Sequence, residues 1–212
     1  HGLRFIFANR YRYLARLDAG DLVAPDRFRK QRRYLDSHPR CALVGSYVSF
    51  VDSQGAVLHL VHAPLTHAAI MRAMHAGNPI LDPAVMIRVS MFEQAGPFSE
   101  DSPMAEGYEL FLRLGQSFEL AVLPEVLTAC HRHNARLSVG NRRRQQIERL
   151  KLQWRYFDRR EPLSYYGVAR TLAAMLTPHE VVEGRRRRRF RPADRPAAAT
   201  VPARTGNSSG RS

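Results

Sequence analysis

Short β-prone runs alternate with helix-periodic stretches along this chain, and most junctions carry Gly, Pro or Asp, which restricts it to a sheet layered with helices. Residues 11–17 (YRYLARL) read as a buried strand ending in the polar loop Asp18-Ala19-Gly20-Asp21. Pro25 and Asp26 then open a helix over 27–36. Residues 43–51 (LVGSYVSFV) are β-rich and closed by the turn signal of 52–55, which makes 56–61 their hairpin partner. A helix over 66–76 stops at Gly77-Asn78-Pro79, a strand follows over 84–88, and a short helix over 90–94 ends at Gly96-Pro97. Residues 106–116 place Leu110, Phe111 and Leu114 at helical spacing, with Glu106 and Glu109 on one face. Residues 119–122 and 126–130 are brief strands around Pro124. Ile147, Leu150, Trp154 and Phe157 recur at i, i+3, i+7 and i+10 in an Arg-rich amphipathic helix.

The 212 residues, 44% of them hydrophobic, suffice for a core and exclude collagen-like, coiled-coil and wholly disordered classes. The formal charge is +14, almost all of it from arginine, since Lys30 and Lys151 are the only lysines. Nine arginines against Asp194 put +8 of that charge in residues 184–212, leaving +6 for the rest, an ordinary balance for an enzyme. The Arg-rich segment holds too few apolar residues to offset ordering entropy and is expected to be disordered. Its five consecutive arginines suit anionic lipid head groups or nucleic acid, and a solvated basic tail is the alternative. Aromatic residues are not interleaved with it beyond Phe190, so nucleic acid is not an expected partner. Cys41 and Cys130 cannot make a disulfide framework, which favours a reducing cytosol. No apolar run approaches the roughly 18 residues of a membrane span.

Phosphate-binding loops, paired Cys-x-x-Cys and nucleophile elbows are missing from the sequence. His131 and His133 would share one side of a strand, where a metal or a phosphate could use them, although surface histidines fit equally. The acidic loop says more. Carboxylates at the carboxyl end of a buried strand suit Mg or Mn holding a diphosphate, whereas Asp-x-x-Asp in a turn also serves as a helix cap.

Eight blocks stand in a telling order: YLARLDAGD (13–21), PDRFRKQ (25–31), LDSHP (35–39), LVGS (43–46), NPILDPAVMIR (78–88), FEQAG (92–96), AEGYELFLR (105–113) and HRHN (131–134). In that order they resemble the family 2 glycosyltransferases of the GT-A fold. The resemblance implies an α/β fold, a mixed sheet flanked by helices and lacking its first strands. It also implies a partial catalytic domain over 1–138, C-terminal amphipathic helices over 139–183 and a tail over 184–212. The implied activity is metal-dependent, inverting transfer of a sugar from a nucleotide-sugar donor to a hydroxyl of a saccharide or lipid-linked acceptor. The implied setting is bacterial surface polysaccharide or glycolipid synthesis, in the cytoplasm at the inner membrane face. The basic helix at 142–157 and the apolar 168–176 would then rest on anionic membrane, or simply pack on the catalytic domain.

By the same resemblance Asp18 and Asp21 hold Mg or Mn, and Asp18, Arg132 and His133 approach the donor diphosphate. Glu106 and Glu109 are the carboxylates left for proton transfer, and Asp82 stands on the acceptor side. Three departures are visible. Gly20 occupies the usual place of a metal-binding Asp, Gly107 that of the catalytic base, and Asp82 that of a histidine. The family's donor-binding strands would precede residue 11 by about 60–80 residues, half of a doubly wound sheet. Ten residues stand there, which suggests a fragment, and a catalytically weak or inactive binding remnant is the alternative.

Overall fold

A computed structural model describes residues 2–96, 98–99, 102–131 and 142–177. The described residues form a mixed sheet of six strands flanked by helices, as the resemblance implied. Helix α1 (Gly2–Ala8) leads into β1 (Tyr13–Ala15) and β2 (Leu22–Val23), followed by α2 (Arg27–Ser37). The long strand β3 (Cys41–Val51) turns into β4 (Val57–Val61), then α3 (His67–Met74). A 3₁₀ turn (Asp82–Ala84), β5 (Met86–Arg88) and α4 (Val89–Ala95) precede α5 (Glu106–Ser117) and β6 (Glu119–His131). Helices α6 (Arg142–Arg155) and α7 (Pro162–Leu176) complete the described chain.

Strand order is β1-β5-β3-β6-β2, with β4 also on β3. The pairing of β3 with β6 is parallel and all others are antiparallel. Residues 119–131, expected as two strands, form one continuous strand. Pro124 carries no N–H for a ladder, and the pairing accommodates it with a register shift between Ser46 and Tyr47 and another between Tyr47 and Val48. The shift divides β3 in two: its first half pairs with β5 and its second with β4. Helix α1 and the two-residue β2 carry no periodicity long enough to read from sequence.

Apolar clusters cover both faces of the sheet. Ile70, Met74, Phe92, Leu110, Phe111 and Leu114 pack from α3, α4 and α5 on one face, and Leu35 of α2 meets Cys41, Val44 and Met86 on the other. A polar pair sits inside this packing. Arg27 and Gln31, one helical turn apart on α2, are both fully buried. Arg27 donates from Nε to Gln31 Oε1 (3.0 Å) and from Nη2 to the carbonyls of Arg16 (2.9 Å) and Val85 (3.3 Å). Gln31 Nε2 donates to the carbonyls of Val44 (3.1 Å) and Ala84 (2.8 Å). Burial pulls the Arg27 pKa down to about 10, so it stays cationic at neutral pH.

Helices α6 and α7 dock on the sheet domain, and no described helix is long and apolar enough to cross a membrane. Glu148 Oε2 accepts from the Met104 backbone N–H (2.6 Å) and Gln153 Nε2 donates to the Ala76 carbonyl (3.3 Å). Thr171 ties α7 to Gln153 (2.8 Å), and Ser164 bonds His75 Nδ1 (2.9 Å). A Cβ at Gly167 would lie 2.2 Å from the His75 carbonyl oxygen, so α7 approaches that backbone closely. These polar bonds set the rotation of α6. They bury Glu148, Leu152 and Gln153, whereas the expected apolar row leaves Ile147 and Trp154 exposed. Residues 178–212, which include the Arg-rich segment, lie outside the described residues.

Replacing Gln31 with Leu strands two carbonyls and the Arg27 Nε–H in the core. At about 1–3 kcal/mol for each buried polar group left unpaired, urea denaturation is expected to show a loss of roughly 3 kcal/mol or more.

Candidate active site

A cavity of about 280 Å³ opens between the start of α5, the 3₁₀ turn and α6, walled by Asn78, Asp82, Met104, Glu106, Gln146 and Arg149 among others. This is close to the lower end of the range for small-molecule sites, about 300 Å³. Gln146 Oε1 is buried there and finds no hydrogen-bond partner among the described residues, leaving an acceptor available to a ligand hydroxyl.

The charged centre is Arg16, just past the end of β1. Its Nη2 donates to Glu106 Oε1 (2.9 Å), and its Nη1 lies 3.6 Å from Asp82 Oδ2. The guanidinium also lies over the Phe98 ring, 5.1 Å from its centroid. The Arg16 carbonyl is held by Arg27, which fixes the backbone from which the side chain extends. Asp82 opens the 3₁₀ turn, followed by Pro83, and the next two carbonyls of that segment are held by Gln31 and Arg27. Burial raises the Asp82 pKa, Arg16 opposes the rise, and Glu106 and Asp18 add to it.

Structure and expectation divide over the predicted residues. Asp82 and Glu106 come together on Arg16, and the exposed Asp18 lies near enough to Asp82 for its charge to act on it. Glu109 stands apart: both its oxygens accept from Arg113, at 3.0 and 2.9 Å, and Arg113 in turn holds the Gly96 carbonyl (3.0 Å). Asp21 faces β6, where Oδ1 accepts from the His131 backbone N–H (3.2 Å). The buried Cys130 thiol beside it is driven upward in pKa by burial and by its hydrogen bond to Asp21. Neither Asp18 nor Asp21 caps α2, whose N-cap is Asp26. Among the described residues no three His, Cys, Asp or Glu side chains converge on a cation position. The described residues alone therefore do not assemble the Mg or Mn site that the resemblance implies. Arg132 and His133 lie outside the described residues.

Sequence reasoning missed Arg16, Gln146 and Arg149. Arg16 lies inside the YLARLDAGD block, two residues before the first acid, and only the fold shows which carboxylates it meets. Gln146 and Arg149 sit on a helix whose rotation is set by tertiary contacts.

No family model matches the chain. Three curated relatives do. Over 115 residues, 54% of this chain and 42% of the relative, it is 34% identical to the amylovoran biosynthesis glycosyltransferase AmsE of Erwinia amylovora. Two proteins of Haemophilus influenzae, each named an uncharacterized glycosyltransferase, are 27% identical over 164 residues and 24% identical over 160. These alignments cover 73% and 74% of this chain, and 49% and 57% of those proteins. All three relatives are named glycosyltransferases. The chain spans about half the length of the curated relatives it matches. Their names support a transferase by resemblance, and the acid–arginine cluster beside the cavity is where this chain offers chemistry for one.

Glu109→Gln breaks one arm of the fork to Arg113, whose partner carboxylate is almost fully buried. The expected result is a loss of about 1–3 kcal/mol in chemical denaturation. The pH dependence of any activity should be unchanged, because Glu109 does not line the cavity.

Proposed function

We propose that this chain carries the acceptor-side half of a glycosyltransferase that moves a sugar from a nucleotide-sugar donor to an acceptor hydroxyl with inversion, in bacterial surface polysaccharide synthesis. The observation that carries the reading is the pair of carboxylates, Asp82 and Glu106, bridged by Arg16 at the edge of the cavity. Glycosyl transfer to a hydroxyl needs a carboxylate to take the proton and a fixed cation to keep neighbouring acids ionised where they are needed. The ordered motif series and the names of the relatives support the same reading, the amylovoran relative bringing in polysaccharide. Family 2 and the GT-A fold remain the assignment that the eight blocks favour. No step here is routed through Mg or Mn, since the described residues do not form a site for either.

The test is release of free nucleoside diphosphate from a panel of nucleotide sugars by the full-length protein, with and without Mg or Mn. Arg16→Ala is expected to lower turnover by about 10²-fold or more, as the two carboxylates lose their shared cation. Gly20 and Gly107, standing where the resemblance places acids, favour one second reading, a non-catalytic binding protein of the same fold. Failure of the full-length protein to turn over any donor would leave that reading standing.

We also propose that α6 and α7 rest on anionic membrane at the inner face, where a lipid-linked acceptor would be found. Tyr165, Ala169, Leu172, Ala173 and Leu176 recur along α7 at i, i+4, i+7, i+8 and i+11 and are all exposed. Phe157 extends that surface by packing on both Trp154 and Tyr165, and Arg143, Arg155, Arg159 and Arg160 are exposed on the same helices and their connection. Apolar and cationic side chains on one surface element suit a lipid interface. Trp154 is the chain's single tryptophan and is 70% exposed. Its emission is expected to shift to the blue on phosphatidylglycerol vesicles and to stay put on neutral ones. Leu172→Asp with Leu176→Asp should abolish the shift.

A further inference from the structure

Gly107 has no side chain, and the space where one would begin is filled. A Cβ built on Gly107 would lie 2.1 and 2.2 Å from the two carboxylate oxygens of Asp82 and 2.4 Å from its carboxyl carbon. Asp82 therefore reaches across from the 3₁₀ turn and sets its carboxylate against the second residue of α5. Two chain positions 25 residues apart share one volume, and an acid from one of them occupies it.

The placement is rigid. Pro83 fixes the backbone after Asp82, and the Ala84 and Val85 carbonyls are pinned from beneath by Gln31 and Arg27. Asp82 and Glu106 also differ in what holds them. Glu106 gives an oxygen to Arg16 at hydrogen-bond distance and its side chain is 39% exposed. Asp82 keeps 3.6 Å from the same guanidinium, an ion pair without a hydrogen bond, and lies deeper. The charged groups around it are Arg16, Glu106 and Asp18, with Arg149 on the far wall of the cavity. One cation close by keeps Asp82 ionisable, while burial gives its anion more proton affinity than a solvated carboxylate has.

Resting on the transfer reading above, we propose that Asp82 is the general base of the reaction and that Gly107 is the vacancy that lets its carboxylate reach the acceptor. An acceptor hydroxyl in the cavity gives its proton to a carboxylate oxygen of Asp82. The hydroxyl oxygen forms the new bond to the anomeric carbon as the bond from that carbon to the donor's phosphate oxygen breaks. The electron pair leaves with the nucleoside diphosphate, and the proton remains on Asp82 until solvent takes it.

Asp82→Asn keeps the shape and removes the basicity. In the full-length protein it is expected to lower kcat by about 10²- to 10⁴-fold while melting temperature and donor affinity stay near wild type. The acid limb of the pH profile of kcat/KM, which for a base must fall as pH drops through the raised Asp82 pKa, should disappear with it. Activity of Asp82→Ala should rise with added formate, a carboxylate small enough for the vacated space. Gly107→Ala should lower kcat and the melting temperature together, since its Cβ must push the rigidly placed Asp82 carboxylate aside. Asp82→Ala combined with Gly107→Asp should recover part of the activity, the acid now entering from α5.

Full turnover in Asp82→Asn, or loss of donor binding along with turnover, overturns the assignment. If Glu106→Gln abolishes transfer while Asp82→Asn does not, the transfer reading stands and the base is Glu106. A full-length wild type that turns over no donor overturns both.

Discussion

The buried pairing of Arg27 with Gln31 is the constraint on which the rest of the structure depends. The pair supplies donors to the carbonyls of Arg16, Val44 and Ala84, and a second donor to the Val85 carbonyl that the Arg16 N–H already bonds. A charged guanidinium in such a place is costly unless its donors are used, and here two of its bonds fix backbone while a third holds the Gln31 side chain. The result is that the backbone at Arg16, just past β1, and at Ala84 and Val85, just after Asp82, is held at set positions beneath the site.

The site built on that support is acidic for a basic protein. Asp82 and Glu106 meet on one arginine with Asp18 near Asp82, and burial together with those two carboxylates raises the Asp82 pKa. A buried carboxylate with raised proton affinity suits taking up a proton better than gripping an anion, which calls for cations.

Much of this was legible in the sequence wherever period and turn chemistry agreed. Residues 27–36, 43–51 and 106–116 became helix, strand and helix because their apolar spacing matched the face they bury. Pro124 misled, since a proline in a long strand looks like a break and a register shift absorbs it. The rotation of α6 was illegible because Glu148 and Gln153, polar residues on a supposed outer face, find partners only in the folded chain. In the site, Asp18 and Glu106 could be named from their motifs, and Asp82 was noticed only as a substitution on the acceptor side. Its meeting with Gly107 depends on three dimensions, since no spacing rule links a 3₁₀ turn to a helix 25 residues later.

That shared volume has an evolutionary consequence. Two positions that compete for one space cannot change independently: an ancestor with side chains at both would be overfilled, and one with an acid at neither would lose the function together. In space the two positions act as one: the acid that enters this volume from the turn excludes any side chain entering it from the helix.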